Sequence, residues 1–391
     1  VPTLWTEDER FLLQGTSLEA AVNAKISALD AEFGLIVEKS SDIACWNDLL
    51  WQHGSVSFTD WIRLDALYRS RCLELPRSGE SMVPCIDMIN HSAAPSAYYD
   101  ENLKDEVVLL PRPGVNLSKD DEVTISYGDS KSAAEMLFSY GFIDPESKAD
   151  SLVLPLTPFP DEPLAKAKLV AFGQGPKIHV ARDGDGAIRW GSDFAYLMCV
   201  NEEDGLEFRI LQDRDGGQQL RVFWQEEDVT DRTSGFEELI RTHPFSAVFR
   251  LRVVTVVQET LQTQLERLRS STPPDTPSSL QREDCFKMAL LLRQIETNIL
   301  EDAIKTLEEE VSTVLRAPMF WLRGALNRTL GKTSRSACGT RQIRFRELTY
   351  GVLQRSSLLT DKNVVAYLGL TEPAGSDLAG EEASNEPDDF S

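Results

Sequence analysis

The run Val83-Pro84-Cys85-Ile86-Asp87-Met88-Ile89-Asn90-His91-Ser92 is the most informative stretch of the chain. An amide and an imidazole, Asn90 and His91, follow an apolar run in what reads as a turn. Such a turn can offer side-chain and backbone hydrogen bonds to a polar heterocycle. Two segments follow in order. Asp121-Glu122-Val123-Thr124-Ile125-Ser126-Tyr127-Gly128 contains a strand, Glu122 to Tyr127, whose Tyr-Gly end lets the Tyr127 hydroxyl face a cavity. Lys131 to Tyr140 reads as a short helix closed by Gly141 and followed by Phe142. Taken singly, Asn-His in a turn and a tyrosine at a strand end are mostly structural features. Between Met82 and Phe142, short apolar runs such as Val107 to Leu110 alternate with Pro, Gly and Asn, the texture of short strands and tight turns.

On the N-terminal side the chain reads as helical. Thr16 and Glu19 have the spacing of a capping box. Leu18, Ala21, Val22, Ile26, Leu29 and Phe33 then recur at helical intervals to about Ile36, and a second helix is expected over Phe58 to Leu75. On the C-terminal side, the Pro-rich stretch Leu154 to Pro160 marks a boundary. Phe208 to Leu211 and Leu220 to Trp224 flank a Gly-rich turn as a hairpin. Two long helices are expected at about Phe245 to Leu268 and Glu283 to Val311. In the second, Met288, Leu292, Ile295, Ile299 and Ala303 form a packing stripe.

The 391 residues carry 40 Lys+Arg against 63 Asp+Glu, a net charge of −23. That opposes a broad nucleic-acid surface or attachment to anionic lipid, and it leaves room for basic protein partners, which an acidic field would steer inward. Thr371 to Ser391 holds seven acids and no base and is expected to be a disordered acidic tail. Ser312 to Arg346 holds eight bases and no acid, and reads either as a docking insert or as translated non-coding sequence. No stretch has the roughly 18–20 apolar residues of a membrane helix. Cys45, Cys72, Cys85, Cys199, Cys285 and Cys338 form no CxxC, which suggests a reducing compartment. Asp183-Gly184-Asp185-Gly186 lacks the Gly and Glu that a calcium loop needs later in its span and reads as a turn, and the four histidines have no ligand spacing, so no metal is expected.

Taken together, D-x-x-N-H-S from Asp87, the strand ending in Tyr127-Gly128, and S-x-A-E-x-x-x-x-Y-G-F from Ser132 to Phe142 resemble the SET domain of protein methyltransferases. The likeness is to the subgroup of the Rubisco large-subunit lysine methyltransferase and related ribosomal-protein lysine methyltransferases. Trp5 to Leu18 looks like the start of that subgroup's helical insert, and the part after Pro160, including Cys285 to Val311, like its substrate-binding domain. The resemblance implies an α+β chain. A β-rich SET domain, with its helical insert at about 1–75, would occupy 1–157. A mainly α-helical substrate-binding domain would occupy 158–370, interrupted by the basic segment 312–346, with the tail at 371–391. The family's Gly-containing N-terminal strand, which cradles the methionine end of the cofactor, has no counterpart here. A truncated form that binds cofactor weakly is therefore expected.

The resemblance also implies roles. The cofactor would be S-adenosylmethionine. Asn90 and His91 would contact its adenine side, Asp87 and Met88 would shape that wall, and Arg71 would stand near its carboxylate, a task suited to a guanidinium. Tyr127 would be the catalytic tyrosine. Tyr140, Gly141 and Phe142 would close the cofactor pocket and line the target-lysine channel. The attacking amine must be neutral although its ordinary pKa is about 10.4, a cost of roughly 4–5 kcal/mol at neutral pH. An apolar channel and a nearby sulfonium both lower that cost. The expected substrate is a Lys-rich, basic, non-histone protein of the ribosomal kind, acted on by a monomer in the nucleus or cytoplasm, without nucleic acid or membrane. Two other readings are a non-catalytic adaptor that binds protein through its helical part, and methylation of histidine on the same fold.

Overall fold

The computed structural model describes residues 1–316 except 53, 55, 148, 160–161, 213–216 and 274–275. Most of the basic segment and all of the acidic tail lie outside the described residues. The chain opens with helices α1 (Glu7–Phe11), α2 (Ser17–Ser41), α3 (Ala44–Trp46) and α4 (Phe58–Arg71). Six short strands follow: β1 (Cys72–Leu75), β2 (Gly79–Met82), β3 (Asn90–His91), β4 (Ala97–Glu101), β5 (Val107–Pro111) and β6 (Thr124–Ile125). After α5 (Ala133–Tyr140) come β7 (Ser151–Pro155), α6 (Ala165–Phe172), β8 (Lys177–Arg182), β9 (Ile188–Gly191), α7 (Ala195–Met198), β10 (Leu206–Gln212), β11 (Gln218–Trp224) and β12 (Glu227–Asp228). The last described elements are α8 (Phe236–Arg241), α9 (Ser246–Ser270) and α10 (Glu283–Arg316).

The expected α+β composition is what the chain has, and the long helices and the β10–β11 hairpin stand where periodicity put them. Three local expectations are corrected. The second helix stops at Arg71, and Cys72–Leu75 is a strand paired antiparallel with Gly79–Met82. Pairing buries Leu73 and Leu75 on one face, and this alternating burial outweighs the helical look of the sequence. The strand expected over Glu122 to Tyr127 shrinks to Thr124–Ile125, paired in parallel with Asn90–His91. The capping box at Thr16 does not form. The Thr16 hydroxyl donates to the Leu13 carbonyl (2.6 Å), while Glu19 accepts from the Gly15 N–H (2.9 Å) and pairs with Arg267 (2.7 Å). The free end of α2 is instead capped by Glu296 of α10, which accepts from the Ser17 N–H and hydroxyl. Capping boxes do close the N-termini of α1 (Thr6, Glu9), α4 (Ser57, Asp60) and α5 (Ser132, Glu135).

Two of the cores matter for the site. In the first, Trp5, Leu12, Leu13, Leu18 and Val22 pack with Leu137 and Ile143 and with Cys285, Phe286, Ala289 and Leu292. Near it, the buried Arg293 donates to the carbonyls of Leu12, Gln14 and Leu268, and Glu9 pairs with Arg282 (2.8 Å). The N-terminal segment is thus clasped by α10. The second, smaller core is Leu73, Leu75, Ala97 and Ile125, with Ile86, Ile89, Tyr99 and Tyr127 packed against it. It forms the floor of the cleft described next.

Candidate active site

The backbone arranges the site before any side chain does. Cys85 has φ 76 and ψ −42, a region that is strained for a residue with a Cβ. This bend starts the single turn Ile86–Met88 and turns the carbonyls of Asp87 and Ile89 toward Arg71 and Tyr127. Arg71 is the last residue of α4. Its Nη1 donates to the Asp87 carbonyl at 2.7 Å and lies 3.7 Å from the Met88 sulfur. The parallel β3–β6 pair sets His91 beside Ile125, two residues before Tyr127.

Tyr127 is held at both ends. Its backbone N–H donates to His91 Nδ1 (3.1 Å), and its hydroxyl donates to the Ile89 carbonyl (2.7 Å). Because Nδ1 is an acceptor, the ring proton of neutral His91 sits on Nε2, which faces Asp144 at 3.2 Å. The Tyr140 hydroxyl donates to the Tyr127 carbonyl (3.2 Å), and the two rings lie 4.6 Å apart. Phe142 packs behind, 5.8 Å from the His91 ring and 6.3 Å from that of Tyr127. Burial pushes both phenols above their ordinary pKa; the Arg71 charge opposes this at Tyr127, and the phenols of Tyr99 and Tyr127 add to it at Tyr140.

A cleft of about 230 Å³ opens over this cluster. Of the residues singled out in the sequence, Arg71, Asp87, Tyr127 and Tyr140 line it. The others stand around it. Met88 is 65% exposed, and exposed Asn90 donates to Glu122 (2.7 Å), so both lie on an outer rim. The His91 ring nitrogens are both engaged within the protein, and the imidazole braces Tyr127. Gly141 ends α5 at φ 86, and a Cβ there would stand 2.7 Å from the Val1 nitrogen, so this position needs glycine for both conformation and space.

Sequence reasoning missed several lining residues: Tyr99 on β4, Cys72 and Glu74 on β1, Glu80 on β2, and Lys131 before α5. The alternation around Tyr99 was the one available signal, but without the register of β4 against β5 it does not say which of Tyr98 and Tyr99 faces inward. Cys72 has its thiol pKa raised, chiefly by burial.

The donor set suits the amino-acid end of an S-adenosylmethionine-like ligand. A guanidinium has five N–H donors, so the bond to Asp87 leaves Arg71 able to hold a carboxylate. Asp87 and Glu80 supply carboxylates for an ammonium, and Leu73, Ile86 and Ile89 an apolar floor. The cleft is smaller than the roughly 300–1,000 Å³ of pockets that enclose whole ligands, so it suits part of such a molecule or one amino-acid side chain. Among the described residues no group of three or more His, Cys, Asp or Glu could hold a metal ion, and no helix is long and apolar enough to cross a membrane.

No family model matches the chain. It is 28% identical over 315 residues to SET domain-containing protein 8 of Schizosaccharomyces pombe, covering 78% of this chain and 70% of that protein. It is 26% identical over 165 residues to the chloroplastic ribulose-1,5 bisphosphate carboxylase/oxygenase large subunit N-methyltransferase of Nicotiana tabacum, covering 39% of this chain and 32% of the relative. Among solved structures, that of Rubisco LSMT bound to AdoMet superposes with a TM-score of 0.56 at 19% identity, covering 85% of this chain and 73% of that one. The SET domain of LSMT bound to lysine and AdoHcy gives 0.56 at 18% identity, covering 88% and 74%. The resemblance read from the sequence is borne out: the chain has the SET-domain fold of the Rubisco LSMT type.

Proposed function

We propose that this chain is an S-adenosylmethionine-dependent protein-lysine methyltransferase acting on a basic, non-histone protein such as a ribosomal protein. The observation that carries the reading is Tyr127. It is pinned by Ile89 and His91 in a cleft shared with Arg71 and Tyr140, on a fold whose solved relatives hold AdoMet or lysine with AdoHcy. Arg71 would hold the cofactor's carboxylate. When bound, the cofactor supplies a methyl group on a positively charged sulfur, which takes back the bonding electron pair as the amine nitrogen bonds the methyl.

The chain's own residues then have defined tasks. The Tyr127 proton is committed to Ile89, so the phenol oxygen keeps its lone pairs for an amine N–H and fixes the direction of the nitrogen. Burial keeps that phenol protonated, so Tyr127 orients rather than abstracts a proton. Aromatic and apolar walls disfavour the ammonium form of an entering lysine. Net charge of −23 supports a basic substrate by steering it inward. The 158–370 part, with its paired long helices α9 and α10, is proposed as the substrate-binding domain, and the nucleus or cytoplasm as the place of action.

The test is transfer of a radiolabelled methyl group from S-adenosylmethionine to fractionated ribosomal proteins. Wild type labels a basic protein, and Tyr127→Phe lowers the rate by about 100-fold or more, the scale of lost orientation. Equal labelling by the variant removes Tyr127 from the mechanism. No labelling of any fraction by wild type removes the enzyme reading and leaves the protein-binding adaptor.

A further inference from the structure

The ladder between β3 and β6 is short, and the chain beyond it is held by a side chain. His91 pairs with Ile125, and the Ser92 N–H donates to the Ile125 carbonyl at 3.0 Å. Tyr127 lies past the last ladder pair, so its amide needs another acceptor. His91 Nδ1 supplies it at 3.1 Å. An imidazole nitrogen accepts only while it is bare, and a neutral ring carries its one proton on either nitrogen. Which nitrogen holds the proton is set by the partners of the two.

The partner on the far side is Asp144. Its Oδ2 stands 3.2 Å from Nε2, with the His91 and Asp144 side chains only 8% and 13% exposed. The carboxylate is also fixed from its other oxygen. Oδ1 accepts the Glu146 N–H at 2.9 Å, and the Asp144 carbonyl accepts the Ser147 N–H at 3.2 Å. The segment before it is anchored by Ile143, buried in the first core, and by Phe142, whose ring lies 5.8 Å from that of His91. An ionised carboxylate only accepts, so it is satisfied by Nε2 only when that nitrogen bears the proton.

We propose that Asp144 is a positioning residue: its carboxylate holds the His91 proton on Nε2, leaves Nδ1 bare for the Tyr127 N–H, and so sets where the phenol stands. The effect on catalysis rests on the methyltransferase reading above; the placement of Tyr127 does not. With the proton on Nδ1, two donors face each other and the Tyr127 amide has to move. The phenol moves with it, and a displacement of about 1 Å at an orienting group costs roughly 100-fold in rate. Arg71 reaches the cleft from α4 and takes no part in this chain of contacts, so cofactor binding is left unchanged.

The experiment uses the full chain with isotope-labelled histidine, as wild type, Asp144→Asn and Asp144→Glu. An amide donates as well as accepts and so permits either tautomer, whereas glutamate keeps the carboxylate. Nitrogen NMR separates bare from protonated ring nitrogens, and the His91 signals are assigned through contacts with the Tyr127 and Phe142 rings. Wild type is expected to show Nδ1 bare and Nε2 protonated. Asp144→Asn shifts the ring toward the Nδ1–H form and lowers kcat for methylation of poly-L-lysine about 10–100-fold, with KM for S-adenosylmethionine within about twofold. Asp144→Glu recovers the wild-type tautomer and a rate above that of Asp144→Asn. Melting temperature checks the fold, and if Asp144→Asn melts well below wild type, the wild-type tautomer decides.

A proton on Nδ1 in wild type, an unchanged tautomer in Asp144→Asn or, where wild type is active, an unchanged kcat overturns the proposal. With an active wild type, each of these results leaves the methyltransferase reading intact. If the tautomer responds but wild type transfers no methyl group, Asp144 still places Tyr127 and it is the enzyme reading that fails.

Discussion

Arg71 shows how much one side chain in this site is asked to do. It closes α4, ties that helix to the Asp87 carbonyl, and still faces the cleft. A lysine reaches one partner as a point charge, whereas the guanidinium reaches two at once. Arg71→Lys is therefore expected to weaken S-adenosylmethionine binding about 5–100-fold, on the scale of a charge-assisted hydrogen bond. Titration calorimetry checks this, and an unchanged Kd would place the carboxylate elsewhere. Tyr127 and Tyr140 were legible in the sequence because each sits inside a motif of fixed spacing, and Arg71 only through the family resemblance. Tyr99 was not, because Tyr98 and Tyr99 are chemically equal until β5 pairs with β4 and sends one of them inward. Nor was the bend at Cys85, since a positive φ at a residue other than Gly leaves no compositional mark.

Among the elements, the contact of α2 with α10 carries a pH dependence. Burial raises the Glu296 carboxyl to about 7, against the opposing hydrogen bonds from Ser17 and the charge of Arg293. A folded-state pKa above the unfolded one means that the folded protein holds the proton more tightly. The associated stability is complete below about 4.5 and is lost as pH rises through about 7. Its size is on the order of 2–3 kcal/mol. Urea midpoints of wild type should fall between pH 5 and 8, and Glu296→Gln should flatten that slope. Parallel slopes would show that Glu296 does not titrate in this range. On the acid side Glu9 acts oppositely. The hydrogen bond from Arg282 holds its carboxyl at about 2, so that contribution is present above the ordinary carboxylate range and lost as pH falls toward 2. Element type was legible wherever periodicity ran long, as in α9 and α10. It failed over residues 72–75, where four residues are too few for periodicity to separate strand from helix and the pairing partner decides.

At the scale of the whole molecule, the first core joins residues near the chain's start to residues near 290. Leu292 is fully buried there, between the N-terminal segment and α5. Leu292→Ala is expected to cost about 2–5 kcal/mol by transfer and cavity terms, read as a lower urea midpoint at unchanged slope. A cost below about 1 kcal/mol would mean that the clasp of α10 on the N-terminal segment contributes little. The architecture as a whole was readable from the order of motifs. This closure was not, since the stripe on α10 announces a buried face without naming what covers it.

The same clasp has a consequence during synthesis. Trp5, Leu12 and Leu13 leave the ribosome long before Phe286 and Leu292, which complete their burial. At a typical elongation rate of about 5–20 residues per second, that interval is roughly 15–60 s. For that time the apolar face has only Leu18 and Val22, and later Leu137 and Ile143, to cover it, and the part that Phe286 and Leu292 bury stays open. The chain's cellular yield should therefore depend on chaperones that hold the emerging amino-terminal segment, and on how quickly the ribosome reaches the codons for α10.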